Sequence, residues 1–274
     1  MRTAGDLLSQ ILRAGCPRSR GGVHVARVPG VLMESTLLII AAIFVVAVLY
    51  SSVGHGGASG YLAVMAFFAV QPEVVRPTSL TLNLFVAGIA AVQYYRAGHF
   101  ESRLLLPFAA ASVPMAFVGG MVQLPTGIYK IVLGVVLIAA AVRLAVDLKG
   151  DGDERTFPIW AALLTGGFIG LLSGLVGVGG GIFLTPLLLL MHWAGAKKAA
   201  AASAVFIFVN SAAGLAGNYA QAAALSSGVW RWLAAAIAGG LLGSTLGVRR
   251  FDSLALRRIL AVVLVVAGGK LILT

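Results

Sequence analysis

Charge is scarce in this chain. Of its 274 residues, 11% are Asp, Glu, Lys or Arg, and nine are acidic. A soluble domain carries about 25% charged residues, so a water-soluble globular fold is excluded. There is one cysteine, Cys16, which excludes an intramolecular disulfide and a cysteine-rich metal site. Leu12-Arg13-Ala14-Gly15-Cys16 ends like a lipoprotein signal, but no apolar run precedes it and Arg13 interrupts it, so lipidation is not expected. No Walker motif and no HExxH pattern occur, so neither ATP hydrolysis nor zinc-protease chemistry is expected, and no cofactor is implied. No acidic or basic residue falls in the middle of a predicted span; Lys130 and Arg231 come nearest, at span ends. Cation carriers and proton pumps use intramembrane carboxylates. Their absence points to an anionic or neutral solute.

What is abundant is apolar. Hydrophobic residues make up 59% of the chain, and its mean hydropathy is +0.99. Runs near 20 residues recur, the length that crosses roughly 30 Å of hydrocarbon. The expected fold class is an all-α polytopic membrane protein embedded in a lipid bilayer. The 35 glycines fit close packing of membrane helices. The net charge of +11 sits in short loops and a tail. Membrane topology explains that placement, and no nucleic-acid partner is implied.

Ten apolar segments can be drawn, near 35–53, 58–71, 78–95, 104–122, 127–147, 157–176, 181–193, 199–217, 229–248 and 255–273. Two glycine-rich breaks interrupt them. The first is Val53-Gly54-His55-Gly56-Gly57, the second Val176-Gly177-Val178-Gly179-Gly180-Gly181, at a constant offset of 123 residues. A short segment of about 13–14 residues follows each, roughly 20 Å as a helix. The expectation is two homologous repeats of about five segments, giving 8–10 transmembrane helices. Repeat 1 covers 33–148, a hydrophilic linker 149–156, and repeat 2 157–274. Residues 1–32 carry five arginines against Asp6 and no apolar core. They read as a basic cytoplasmic tail or, preferably, as preceding a true start at Met33.

If each break forms a hairpin, one side of the membrane collects 11 basic residues, from Arg96 to Arg258. The other collects four: Arg76, Lys130, Arg231 and Lys270. The crowded side is expected to be cytoplasmic in a plasma (inner) membrane protein. Five segments per half is an odd number, so the repeats are expected to be inverted.

Glycine breaks leave backbone N–H groups free. In lipid they survive only when buried in protein or lining a wet cavity. Paired broken segments in related halves point to a transporter's binding site. Helices starting near Gly57 and Gly181 would aim positive dipole ends at one anion. His55, an imidazole at membrane depth, could bind that anion or relay a proton. It has no counterpart in the second break, where Val178 stands. Small polar residues follow on the next segment of each half: Thr78, Ser79 and then Asn83, matched by Ser203 and then Asn210 and Ser211. The candidate substrate-binding set is Gly54, His55, Gly56, Gly57, Ser59, Thr78, Ser79, Gly177, Gly179, Gly180, Gly181, Ser203 and Asn210. Pro72 and Pro77 are expected to bracket a loop, and His99 and His192 to lie at the interface.

The run Leu172-Ser173-Gly174-Leu175-Val176-Gly177-Val178-Gly179-Gly180-Gly181, followed by Pro186, resembles the TauE/SafE sulfite exporter (TSUP) family. Tyr50-Ser51-Ser52-Val53-Gly54-His55-Gly56-Gly57 is a weaker first copy, and the starts at Thr78-Ser79 and Ser203 also look like the family. The resemblance covers about 33–274. It implies a duplicated secondary carrier, not an enzyme, for sulfite, sulfonates or related small organic anions. Two other readings compete. Gly57-Ala58-Ser59-Gly60 matches the G-x-S-G of rhomboid-like intramembrane serine hydrolases, which need a histidine beside the serine. A non-transporting membrane subunit is the other.

Overall fold

The computed structural model describes residues 29–52, 55–145, 155–225, 228–250 and 254–273. The chain forms two compact units, Met1–Thr36 and Leu37–Thr274, and the second holds the helical bundle. Gly54, Cys16, most of the basic tail and linker residues 149–154 lie outside the described residues.

Among the described residues every regular element is a helix: α1 Pro29–Ser52, α2 Ala58–Phe67, α3 Pro72–Arg96, α4 Ser102–Met121, α5 Thr126–Ala145, α6 Ile159–Val176, α7 Gly181–Leu190, α8 Ala196–Gly217, α9 Tyr219–Ala223, α10 Gly228–Arg250 and α11 Leu254–Leu273. Ten correspond one to one with the predicted apolar runs, with starts up to six residues earlier, and α9 is an unpredicted single turn. Among the described residues five helices are long and apolar enough to cross a membrane: Glu73–Arg96, Ser102–Met121, Ile159–Val176, Ala196–Gly217 and Gly228–Leu246. Five shorter apolar helices accompany them.

Four boundaries correct the sequence reading. Helix α1 begins at Pro29, not near 35. Helices α2 and α7 have 10 residues each, about 15 Å, shorter than expected. Helix α3 starts at Pro72, not 78. Proline suits a first helical position because its missing N–H would be unpaired there anyway. Pro72 and Pro77 therefore do not bracket a loop. Arg76 therefore lies in the second turn of a membrane-length helix, near its end, and is 5% exposed.

Glycine sets how closely the helices pack. Gly166, Gly170 and Gly174 lie one turn apart on α6 and press against the Phe108, Ser112 and Ala116 carbonyls of α4. Gly239 and Gly243 of α10 do the same against Phe44 and Val48 of α1. On α5 and α11, Gly134 and Gly268 meet reciprocally; a Cβ on either would stand 2.8 Å from the other's carbonyl oxygen. Helix α3 packs along α8, with α4 also against α8 and α10 against α3. Tyr50, Tyr61, Phe108 and Phe206 are the largest fully buried side chains. The exposed side chains are equally apolar, including Leu106, Leu164, Phe168 and Val262. That inside-and-outside greasiness matches a solvent of lipid tails.

Candidate functional site

The second break is built from left-handed glycines. Gly177 caps α6 at φ +90°, and Gly180 opens α7 at φ +82° with Gly179 before it at φ +76°. Only glycine adopts this conformation without strain. The turn leaves the last carbonyls of α6 without helical partners. Side chains from the first half of the chain supply them one after another. Arg76 Nη1 reaches the Leu175 carbonyl at 3.5 Å. The Tyr129 hydroxyl donates to Val176 at 3.2 Å, Ser79 to Gly177 at 2.9 Å and Asn83 Nδ2 to Val178 at 3.2 Å. Arg76 also donates to the Val122 carbonyl at 2.7 Å and to that of Gly120, at the end of α4. Two helix C-termini thus share one guanidinium, the favourable sign for their dipoles.

At the first break, the His55 N–H donates to the Tyr50 carbonyl at 2.9 Å, and Gly57 opens α2 at φ +96° against the Tyr61 ring. His55 is buried, at 8% exposure. No side chain among the described residues caps α2 or α7, although the Phe183 N–H of α7 already donates to the Gly180 carbonyl at 3.0 Å.

Both breaks meet the same two side chains. A Cβ on Gly56 would come within 2.6 Å of Asn83 Oδ1 and 3.1 Å of Ile207 Cγ2. One on Gly179 would come within 2.5 Å of Asn83 Nδ2, 2.9 Å of Ile207 Cγ2 and 3.2 Å of Ser211 Oγ. The Asn83 amide is therefore a shared wall, its oxygen toward the first break and its nitrogen toward the second. Ile207 stands at the matching place on α8, and Gly181 packs on it too. Asn83 Oδ1, Ser211 Oγ, both amide atoms of Asn210, Thr78 Oγ1 and Tyr61 Oη are buried with no hydrogen-bond partner among the described residues. Such atoms are rare in folded proteins and call for a functional explanation. The carboxylates Glu73 and Glu101 are exposed and stand apart from this buried cluster. Among the described residues no group of metal ligands occurs.

The predicted set divides. Gly56 and Gly179 converge on Asn83 and Ile207, Gly181 packs on Ile207 and Gly57 on the Tyr61 ring, and Ser79 and Gly177 are joined by a hydrogen bond. Asn210 lies buried on α8 beside Ser211. Three residues turn elsewhere. The Ser59 hydroxyl donates to the Tyr50 phenol at 2.9 Å, tying α2 to α1. Gly180 faces Ile169 and Phe206. Ser203 shares a 2.7 Å hydrogen bond with Thr185 of α7. His99 and His192 lie in the turns after α3 and α7, half-buried.

Arg76, Tyr129 and Ile207 were not singled out. A lone arginine just after a proline-initiated helix start was the available signal for Arg76. Ile207 carries none, since its role is positional.

The profile described as sulfite exporter TauE/SafE matches residues 39–271. The "Probable membrane transporter protein y4hK" of Sinorhizobium fredii is 40% identical over 236 residues, covering 84% of this chain and 96% of that one. The "Probable membrane transporter protein YunE" of Bacillus subtilis is 27% identical over 236 residues, covering 75% and 83% respectively. No solved structure matches.

Proposed function

The chain belongs to the sulfite exporter TauE/SafE family of multi-pass membrane transporters, and from that premise we propose that it is a secondary carrier of small anions. Sulfite, sulfonates and related organic anions are the substrate class, and the plasma membrane is the location. One observation carries the reading: Gly56 and Gly179, the glycines just before two helix starts that lack side-chain caps, meet one buried neutral wall, Asn83 and Ile207. Backbone N–H groups and dipole ends hold an anion without a fixed charge. Such a site lets the anion leave again, as a carrier requires. The unpartnered atoms of Asn83, Asn210 and Ser211 add polar capacity beside it. Thr78, Ser79, His55 and Gly177 belong to the same proposed lining. Ser59 does not, because its hydroxyl bonds Tyr50 of α1, whereas that of Ser79 bonds a carbonyl of the break itself. That bond also argues against a hydrolase, whose serine must face a base.

The helix pairing supports two structural repeats, and the odd number of segments in each half is what makes them inverted in this reading. Exchange α1–α5 with α6, α7, α8, α10 and α11. The α4–α6 contact then maps onto α10–α1, α4–α8 onto α10–α3, and the α3–α8 and α5–α11 contacts onto themselves. An exchange that leaves two pairs in place is what a pseudo-two-fold axis produces. Rocking of one half against the other would then expose the breaks to each side in turn.

Uptake of radiolabelled sulfite, sulfate and a small sulfonate into proteoliposomes, with and without a pH gradient, tests the proposal. Saturable uptake of one anion is expected, with Gly179→Val inserting normally but carrying none. Folded protein that moves none of these anions would refute the substrate class.

A further inference from the structure

Three of the four basic residues on the sparse side of the charge count share one place. Lys130 and Lys270 line a cavity of about 270 Å³ at the end of α2, together with Thr126 and Tyr129. Thr126 and Tyr129 also line an adjoining cavity of about 110 Å³, which contains Arg76 and Glu73. Two lysines and an arginine against one carboxylate leave this pair of cavities with an excess of two positive charges. Lys270 is fixed there: its ammonium donates to the Phe67 carbonyl at 3.0 Å and lies 5.6 Å from the Phe67 ring centre. Arg76 is 5% exposed, and its Nε has no partner although its other nitrogens are engaged.

The cavities back onto the second break. Tyr129 lines both and donates to the Val176 carbonyl. Arg76 lines the smaller one, holds the Leu175 carbonyl and packs against Gly177, where a Cβ would meet its Cγ at 3.2 Å. These two side chains are the partition between a basic chamber and the glycine turn. Positive-inside statistics give basic residues on the sparse side no topological role. Gathering three of them around one chamber is a binding arrangement, and a cleft of one sign concentrates the opposite ion.

We infer that the Arg76–Lys130–Lys270 chamber is a second anion site, a vestibule that captures a small oxyanion before it reaches the glycine breaks. Capture is independent of the carrier reading; delivery to the breaks rests on it. The vestibule contributes affinity and capture rate, while turnover belongs to the breaks.

Equilibrium binding of radiolabelled sulfate to the purified full chain in nanodiscs tests capture. Sulfite uptake by the same variants in proteoliposomes tests delivery. Lys130→Gln combined with Lys270→Gln should weaken sulfate binding roughly five- to tenfold at low salt, the scale for two unit charges acting through a wet cavity. Lys270→Arg should retain binding. Lys130→Gln alone should weaken it about threefold, which keeps the test valid if Lys270→Gln fails to fold. In uptake, the double variant should raise KM with kcat nearly unchanged, and added salt should erase the difference. No sulfate binding by wild type, or binding indifferent to both lysines, overturns the vestibule. Lysine-dependent binding without uptake upholds the vestibule and instead sinks the carrier reading. Uptake whose KM ignores the lysines upholds the carrier and sinks the vestibule.

Discussion

Three alanine substitutions separate backbone strain from steric clash at the breaks. Gly98 has φ +74° and open space around the Cβ position, so Gly98→Ala incurs left-handed strain alone, about 1–2 kcal/mol. Gly56 is not among the positive-φ glycines. A Cβ there would stand 2.6 Å from Asn83 Oδ1, well inside contact distance, so Gly56→Ala incurs overpacking alone, about 1–3 kcal/mol. Gly179 has both, φ +76° and Asn83 Nδ2 at 2.5 Å, so Gly179→Ala should cost roughly 2–5 kcal/mol. The assay is thermal unfolding of detergent-purified protein, with sulfite uptake alongside. Asn83→Ala loses its own hydrogen bond to Val178, about 1 kcal/mol, so the double variants are read as cycles. Coupling to Asn83 should be large for Gly56→Ala and Gly179→Ala and absent for Gly98→Ala. If Gly56→Ala is as mild as Gly98→Ala and uncoupled from Asn83, the two breaks do not share that wall and the reasoning fails.

Other perturbations act on the same contacts. Arg76→Met should destabilise the protein by roughly 3–5 kcal/mol, because the Gly120, Val122 and Leu175 carbonyls lose a charged donor together. Arg76→Lys should recover less than half of that loss in the same melts, since an ammonium cannot fork between two helix ends. Ser59→Ala should cost about 1 kcal/mol through the Tyr50 contact and leave uptake intact; abolished uptake would return Ser59 to the site. His55→Gln should flatten the pH dependence of sulfite uptake between about pH 5 and 8, and an unchanged profile would remove His55 from any proton role.

The helices were legible because lipid imposes a length and an apolarity that sequence displays directly. Both breaks were legible because clustered glycine is costly in a helix and was repeated at a fixed spacing. The partners of the breaks were not. Asn83 falls one turn after Ser79 on a polar face, but nothing in its spacing says that its amide will reach Val178, 95 residues away. That contact depends on how the two halves pack. Arg76 was assigned to a loop because Pro72 and Pro77 read as breakers, whereas Pro72 starts the helix and Pro77 sits within its second turn. Ser59 and Ser203 show the same dependence on packing. Their residue type suited a polar pathway, yet each hydroxyl satisfies a neighbour in an adjacent helix.

The central claim is that the two breaks form one anion site. The most direct measurement is an experimental structure with selenate bound, located by the anomalous signal of selenium. The account predicts a peak between the starts of α2 and α7, beside Asn83 and Ser211, that disappears in Gly179→Val. A fully occupied selenate elsewhere, with the helix starts unvisited in a transport-competent protein, would contradict it.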